Sequence, residues 1–187
     1  MTHRLFLLCL LLLAGCASVP KATQPVKRPM QTEHAPFVLS GRIVVKHASD
    51  RSSSGVRWVH RAEADEILLL APLGQTVARI RSDEQGAALD TPFKHFVAKD
   101  ADELTQQVLG WGLPLAGLRY WVLALPAPKG AFDIEHDANG QVILLSQDGW
   151  VIRYTRYATQ TQDSLPLRLA LQRDGLEIQL LIDEWEI

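Results

Sequence analysis

The sequence is almost devoid of cysteine and has no strong excess of charge. Its two cysteines, Cys9 and Cys16, both lie within the first 16 of 187 residues. A domain formed by the later residues therefore has no disulfide, no catalytic thiol and no cysteine metal ligand. The 19 basic and 21 acidic residues give a net charge of −2, which provides no electrostatic footprint for nucleic acid. Such a domain depends on its apolar core for stability.

Motifs that carry catalysis or bind metals are also missing. The chain contains no G-x-S-x-G elbow and no H-E-x-x-H pair, and its six histidines are scattered. The carboxylates of Asp100, Asp102 and Glu103 fit the first turn of a helix better than an acid/base pair. These absences predict that the protein is not an enzyme, has no metal site and needs no cofactor.

One apolar run is present, at the start of the chain. Arg4 precedes the apolar residues 5–13, and Leu13-Ala14-Gly15-Cys16 follows with small residues. This order is typical of a secretory signal peptide, and its ending resembles a bacterial lipobox. The resemblance implies cleavage before Cys16, a diacylglycerol on the Cys16 sulfur and an acyl chain on its amino group. The alternative is an ordinary secretory signal with a chance cysteine.

Three segments follow from this pattern. Residues 1–15 are the predicted lipoprotein signal peptide, and their removal takes away Arg4 and no acid, which changes the net charge to −3. Residues 16–36 contain the lipidated cysteine and four prolines, which favour an extended spacer, although a disordered tether fits equally well. Residues 37–187 form one domain. No later apolar run is long enough to span a bilayer.

The domain sequence predicts a mainly β structure. Alternating apolar residues and turn signals such as Asn139-Gly140 and Asp174-Gly175 favour an antiparallel sheet that curls into a barrel or sandwich. Val77 and Ile80 are expected to face inward, with a bulge near Ala78. The predicted strands are Phe37–Lys46, Gly55–His60, Ile67–Ala71, Thr76–Ser82, Gly86–Asp90, Phe93–Val97, Phe132–His136, Val142–Gln147, Trp150–Tyr157, Leu167–Gln172 and Leu176–Trp185.

The middle of the domain changes from a strand period to a helix period. Asp100 and Glu103 form a D-x-x-E capping box that begins a helix ending near Leu109. Pro114 opens a second helix that is expected to run to about Leu125. The apolar residues of this second helix recur on one side, which predicts that it covers the sheet.

The aromatic and turn residues form a series that resembles the LolB family, the outer-membrane lipoprotein receptors of Gram-negative bacteria. The resemblance covers nearly all of the chain from Phe37 onward. The residues that carry it are Ser40-Gly41-Arg42-Ile43, Trp58, Ala71-Pro72-Leu73-Gly74, Leu109-Gly110-Trp111-Gly112-Leu113-Pro114-Leu115, Leu118-Arg119-Tyr120-Trp121-Val122, Gln147-Asp148-Gly149-Trp150-Val151, Tyr154, Leu165-Pro166, Leu169 and Trp185.

This resemblance implies an incomplete antiparallel β-barrel that encloses an apolar cavity under a helical lid. LolB-like proteins accept lipoproteins from the periplasmic carrier LolA, hold their acyl chains in the cavity and release them into the outer membrane. The implied location is the periplasmic face of the outer membrane, with a lipid anchor, and Ala17 is consistent with that sorting. A monomer that does not bind nucleic acid is expected.

The resemblance also assigns candidate site residues. Leu73, at the tip of a Pro-Leu-Gly turn, matches the protruding apolar loop that helps insert cargo into the membrane; the alternative is a buried turn anchor. Candidates for contacts with the acyl chains are Trp58, Leu115, Leu118, Trp121, Val122, Trp150 and Tyr154. Aromatic and aliphatic residues on such faces are also common core residues. A role for Arg119 in the lid is left open.

One family feature is not found in the sequence. The resemblance implies a helix before the first strand, but prolines interrupt residues 17–36, so a reduced lid is expected. A structural or assembly lipoprotein that binds protein partners is the main alternative function. A periplasmic hydrolase is disfavoured because its nucleophile motifs are missing.

Overall fold

A computed structural model of the chain describes residues 26–29 and 35–187. Within them lie eleven strands and two helices. The strands are β1 (Phe37–His47), β2 (Asp50–Arg61), β3 (Ala64–Leu70), β4 (Thr76–Asp83), β5 (Gly86–Asp90), β6 (His95–Ala98), β7 (Phe132–His136), β8 (Val142–Gln147), β9 (Trp150–Tyr157), β10 (Pro166–Arg173) and β11 (Leu176–Glu186), and the helices are α1 (Ala101–Leu109) and α2 (Leu115–Trp121).

All eleven strands belong to one antiparallel sheet that does not close. The strand order is β6-β5-β4-β3-β2-β1-β11-β10-β9-β8-β7, so β1 and β11 pair at the centre while β6 and β7 form the edges. Both helices lie in the connection between these two edge strands. The predicted incomplete barrel with a helical lid is confirmed. In the described part of the chain, neither helix is long and apolar enough to cross a bilayer.

Residue alternation sorts the strands into an inner and an outer face. In β11, Leu176, Ile178, Leu180 and Ile182 are buried and the residues between them are more exposed. Since successive side chains of a strand point to opposite faces, every second residue enters the core. Burial of each such side chain contributes about 1.5–3 kcal/mol. The inner face, defined as the face with these buried residues, is therefore mainly apolar.

Gly41 marks a close approach between the two central strands. A Cβ atom at this position would meet the Leu181 carbonyl oxygen of β11 at 2.1 Å. The register between β1 and β11 shifts between Ser40 and Gly41, which places a bulge at the same point. Glycine is thus required here by the neighbouring backbone and not by a positive φ.

Local sequence signals determine the ends of the helices. The Asp100 side chain accepts a hydrogen bond from the Glu103 N–H (2.8 Å), and Gly110 ends α1 with φ of 78°. The second helix ends at Trp121, four residues before the predicted end. Ala124 adopts φ of 56°, and the Leu125 N–H donates to the Tyr120 carbonyl (3.2 Å), which closes the helix.

Three strand predictions are wrong in detail. The second strand was predicted to start at Gly55, after a serine-rich loop, but β2 begins at Asp50 and pairs with the whole of β1. Phe93 lies in the β5–β6 turn instead of in a strand. The predicted bulge in β4 is present, but it leaves Val77 unpaired and 44% exposed instead of inward.

Part of the predicted tether contacts the domain. Lys27 forms an isolated antiparallel bridge with Ser164, and its ammonium group lies 2.7 Å from the Asp163 carboxylate. Val26 packs against the core. The described residues of this segment therefore lie beside the β9–β10 connection. The predicted signal peptide, Cys16 and the rest of the segment lie outside the described residues, so the prediction that no full helix precedes β1 is not tested there.

Candidate functional site

The structure brings the predicted acyl-contact residues together in one core. Residues 115–125, here called the lid, cross the inner face of the sheet and insert their apolar side chains into it. The predicted residues of the sheet and those of the lid all have exposed fractions of 5% or less and belong to a single hydrophobic cluster. They are Trp58, Trp150 and Tyr154 in the sheet and Leu115, Leu118, Trp121 and Val122 in the lid. In this conformation the lid itself covers the apolar interior.

An ionic contact ties one side of the lid to the sheet. Arg119 of α2 donates through Nη2 to Asp65 of β3 (2.7 Å) and through Nη1 to Glu63 (3.1 Å). The other oxygen of Asp65 accepts hydrogen bonds from the Trp58 indole (2.8 Å) and lies 2.9 Å from His60 Nδ1. Only 1% of the Asp65 side chain is exposed. Because a buried carboxylate needs such partners, Arg119 has a structural role in lid closure.

Neutral hydrogen bonds tie the other side of the lid. The Gln147 side chain of β8 accepts from Trp121 Nε1 (2.9 Å) and from Ala127 N (2.8 Å). Its amide group donates to the carbonyls of Ala127 (3.0 Å) and Lys129 (2.8 Å). One buried glutamine therefore connects the last residue of α2, the segment after the lid, and the sheet.

Tyr154 adds a second neutral contact on that side. Its hydroxyl donates to the Trp121 carbonyl at 2.7 Å. Burial raises the pKa of this hydroxyl well above its ordinary value. The group thus remains a protonated donor over the whole physiological pH range.

The tryptophan rings of the site pack against other aromatic rings and against a cation. The ring centroids of Trp121 and Trp150 are 6.2 Å apart, and the Arg173 guanidinium lies 4.6 Å from the Trp150 ring centroid. Near β1, Phe37 packs edge-on against Trp58 and Trp185. These contacts place large rings on both sides of the lid, which gives the interior a rigid apolar lining.

A cleft of about 460 Å³ with several charged residues in its wall opens beside the lid. Trp121, Trp150 and Arg119 form part of its wall, but much of the rest is charged, with Asp83, Asp100, Asp102, Asp148 and Arg173. These charges distinguish the cleft from the interior beneath the lid, where the predicted acyl-contact residues are buried.

Leu73 lies far from the core. It is 85% exposed at the tip of the β3–β4 turn, where Gly74 N–H donates to the Ala71 carbonyl (2.8 Å) and Gly74 has φ of 81°. The alternative that Leu73 anchors a buried turn is wrong. Exposure of a large apolar side chain on a firmly held turn is a feature that folding alone does not require.

Several important residues were missed in the sequence. Asp65, His60 and Gln147 lie at ordinary strand positions, and nothing in the local pattern of Gln147 indicates that it is buried in a polar network. A signal for the first two was available, because His60 and Asp65 are five apart across a short turn and face each other in the β2–β3 hairpin. The described residues contain no cluster of histidine, cysteine, aspartate or glutamate that could hold a metal ion.

Comparisons with known proteins agree on one family. The family described as "Outer membrane lipoprotein LolB" matches residues 35–185. A protein of Nitrosomonas europaea named Outer-membrane lipoprotein LolB is 38% identical over 188 residues, which cover 95% of this chain and 89% of the relative. A relative of the same name from Chromobacterium violaceum is 36% identical over 187 residues, with both chains covered completely.

Among solved structures, a LolA superfamily protein from Nitrosomonas europaea is similar to this chain with a TM-score of 0.47. The sequence identity is 6%, and the match covers 82% of this chain and 86% of that chain.

Proposed function

Because the chain belongs to the LolB family of outer-membrane lipoproteins, we propose that it accepts lipoproteins from a LolA-type periplasmic carrier and inserts them into the outer membrane. The observation that carries this proposal is the lid. Its apolar side chains fill the inner face of an unclosed sheet and are held there by a few polar contacts at their margins. A cover of this kind can be exchanged for acyl chains.

Acyl chains replace the lid in the proposed binding step. Outward movement of α2 uncovers the sheet residues Trp58 and Trp150 together with Leu118 and Trp121 of the lid itself. Acyl chains then occupy the apolar volume that these side chains leave. Breaking the contacts of Arg119 and Trp121 opposes this movement, while burial of each methylene group favours binding by about 0.8 kcal/mol.

Transfer requires a difference in affinity and no covalent step. Cargo passes from the carrier when this interior shields its acyl chains better than the carrier does. The cargo leaves this protein for the outer membrane when the bilayer shields the acyl chains better than the interior of the protein does. Since each methylene contributes about 0.8 kcal/mol, small differences in apolar contact over a long chain are enough to direct the transfer. No catalytic residue is needed for this function.

Leu73 acts at the release step in this proposal. An apolar tip that is 85% exposed gains free energy when it enters the boundary between head groups and acyl chains. The β3–β4 turn thus brings the domain into contact with the membrane that receives the cargo. A diacylglycerol and an N-acyl chain on Cys16 hold the protein, as a monomer, on the periplasmic face of the outer membrane.

A transfer assay tests the proposal. The full lipidated chain is mixed with a LolA-type carrier loaded with a lipoprotein, in the absence of nucleotide, and the cargo is followed by pull-down. Movement of cargo to this protein is expected. Retention of cargo on a competent carrier would contradict the receptor function and favour a structural or assembly lipoprotein.

The variant Leu73→Glu separates uptake from release. Cargo uptake is expected to equal that of the parent, because Leu73 is remote from the interior. Delivery of cargo to vesicles is expected to fall by about tenfold, because a carboxylate does not enter the apolar layer. Ile143→Glu, which changes an exposed apolar residue of β8, is the matched control and should deliver cargo normally. Normal delivery by Leu73→Glu would exclude the proposed role of this turn.

A further inference from the structure

A second exposed apolar tip lies on the hairpin next to that of Leu73. Phe93, in the β5–β6 turn, is 93% exposed, compared with 85% for Leu73. A phenylalanine ring presents a large apolar area, and its hydration is unfavourable. The core of the domain gains nothing from this residue, so its position requires another explanation.

The two turns have the same construction. Each places an apolar residue directly after a proline, in Ala71-Pro72-Leu73-Gly74 and in Thr91-Pro92-Phe93-Lys94. Proline fixes its own φ and stiffens the turn. Both turns present their apolar side chain at the second central position.

Hydrogen bonds hold the second turn as firmly as the first. In the β5–β6 turn, the Thr91 N–H donates to the Lys94 carbonyl (2.9 Å), and Thr91 Oγ1 accepts from the Lys94 N–H (3.0 Å). At the base of the other turn, the Ala71 N–H donates to the Gln75 carbonyl (2.9 Å). These bonds hold the backbone of the turn, which presents the Phe93 ring to solvent.

The register of the sheet places both tips at the same end. β4 and β5 are neighbours, and Arg79 of β4 pairs with Asp90 of β5, just before the second turn. The β3–β4 and β5–β6 turns therefore project in the same direction from adjacent hairpins. Their axes are two strand spacings apart, which is about 10 Å.

The charges around the two tips suit a lipid surface. Residues 71–78 and 91–94 contain no acidic side chain, and Lys94 is their only charged residue. Asp90, at the base of the second turn, is compensated by Arg81 (2.7 Å) and His95 (2.6 Å). A lysine next to an inserted ring can extend its ammonium group to anionic head groups while its aliphatic stem stays in the apolar layer.

We propose that Phe93 is a second membrane-contact residue, which inserts beside Leu73 into a bilayer that contains anionic phospholipid; this inference rests on the proposed function. Insertion of two tips, on hairpins whose axes are about 10 Å apart, defines a line on the membrane and restricts rotation of the domain about a single tip. Phe93 thereby fixes the orientation in which the domain delivers its cargo.

Site-specific labelling tests the contact directly. The full chain, reconstituted in vesicles of phosphatidylethanolamine and phosphatidylglycerol, carries an environment-sensitive fluorophore on Phe93→Cys, on Leu73→Cys or on Asn139→Cys. Asn139 is exposed in the β7–β8 turn and serves as the control, and the unsubstituted chain gives the background of labelling. The emission of labels at positions 73 and 93 should shift to shorter wavelength and resist aqueous quencher, whereas position 139 remains quenched. A label at position 93 that is quenched as readily as that at position 139 would overturn the proposal.

The transfer assay provides the functional test. Phe93→Glu should take up cargo normally but deliver it to the same vesicles about tenfold more slowly, corresponding to the lost burial of one large apolar side chain. Phe93→Leu should restore most of the delivery, and Ile143→Glu should resemble the parent. Delivery by Phe93→Glu at the parent rate, together with a defect in Leu73→Glu, would refute the role of Phe93 and leave the receptor function intact. If the parent fails to take up cargo, the receptor function fails, while the labelling experiment still decides the membrane contact.

Discussion

At two hairpins of this domain, an aspartate, a histidine and an arginine meet in very different surroundings. In the β2–β3 hairpin, Asp65 faces His60 and pairs with Arg119; in the β5–β6 hairpin, Asp90 faces His95 and pairs with Arg81. Both Asp–His pairs are five residues apart and directly opposite each other. The exposed fraction of the carboxylate side chain is 1% for Asp65 and 35% for Asp90.

The difference shows that burial and the source of the arginine determine what such a cluster does. Arg81 comes from the strand next to Asp90, so their pair reinforces a hairpin base that is already formed. Arg119 comes from α2, more than 50 residues away from Asp65, so their pair joins the lid to the sheet. Removal of one partner from a buried ion pair leaves an uncompensated charge, whereas exposed pairs contribute little.

The largest decrease in stability is expected when the buried carboxylate of Asp65 is removed. Asp65→Ala leaves Arg119, His60 and the Trp58 indole without their shared acceptor, and the free energy of unfolding should fall by about 4 kcal/mol. Asp90→Ala is the matched change in the exposed cluster, and its unfolding midpoint should stay close to that of the parent. Denaturant unfolding of both variants measures the difference. Equal losses would show that burial of the cluster has no special importance.

A smaller effect is expected when the arginine of the lid is removed. Arg119→Met keeps the aliphatic bulk and should reduce the free energy of unfolding by about 2 kcal/mol, since Asp65 retains Trp58 and His60. Arg119 Nε has no hydrogen-bond acceptor, so its removal breaks no hydrogen bond, and this limits the decrease in the free energy of unfolding.

Hydrogen exchange shows whether the loss of stability in Arg119→Met is concentrated in the lid. The amides of Leu118 and Val122 should exchange faster in Arg119→Met than in the parent, and the amides of β11 should show a much smaller change. Arg81→Met, the control in the exposed cluster, should leave the exchange of the lid unaltered. Uniform acceleration throughout the sheet would contradict a specific role of Arg119 in lid closure.

The smallest effect, and the one most sensitive to pH, is expected in the exposed cluster. Hydrogen bonds from His95 and then from Arg81 lower the pKa of Asp90 below its ordinary value of 3.8. A carboxylate with a lowered pKa in the folded state stabilises the fold above its unfolded pKa, and this contribution is lost as the pH falls through the lowered pKa.

The unfolding midpoint of Asp90→Asn should therefore lie slightly below that of the parent at about pH 6 and approach it at about pH 3. High salt should also reduce the difference at the higher pH, because the cluster is exposed to solvent. A difference that grows as the solution is acidified would show that the sign assigned to Asp90 is wrong.

Local chemistry accounts for what was predictable in the fold. Asn139-Gly140 and Asp174-Gly175 predicted hairpins, and Asp100 with Glu103 predicted the start of α1, because each signal acts within a few residues. The length of β2 was misjudged, since its serine-rich half has little strand propensity of its own and forms a strand through its pairing with β1. The end of α2 was predicted too late. The chain adopts a positive φ at Ala124, where the residue is not the glycine that usually marks such a position.

Neighbouring residues were enough to predict a mainly β domain with an apolar interior, because periodic burial and turn chemistry act over short distances along the chain. The family was recognised from the series of aromatic and turn motifs. By contrast, the contact of Asp65 with Arg119, the link from the lid to the sheet through Gln147 and the exposure of Phe93 on the hairpin next to that of Leu73 follow from packing between distant segments. These features depend on which strands lie next to each other and which side of the lid faces them. The sheet register and the packing of the lid set those relations between residues that are far apart in the chain.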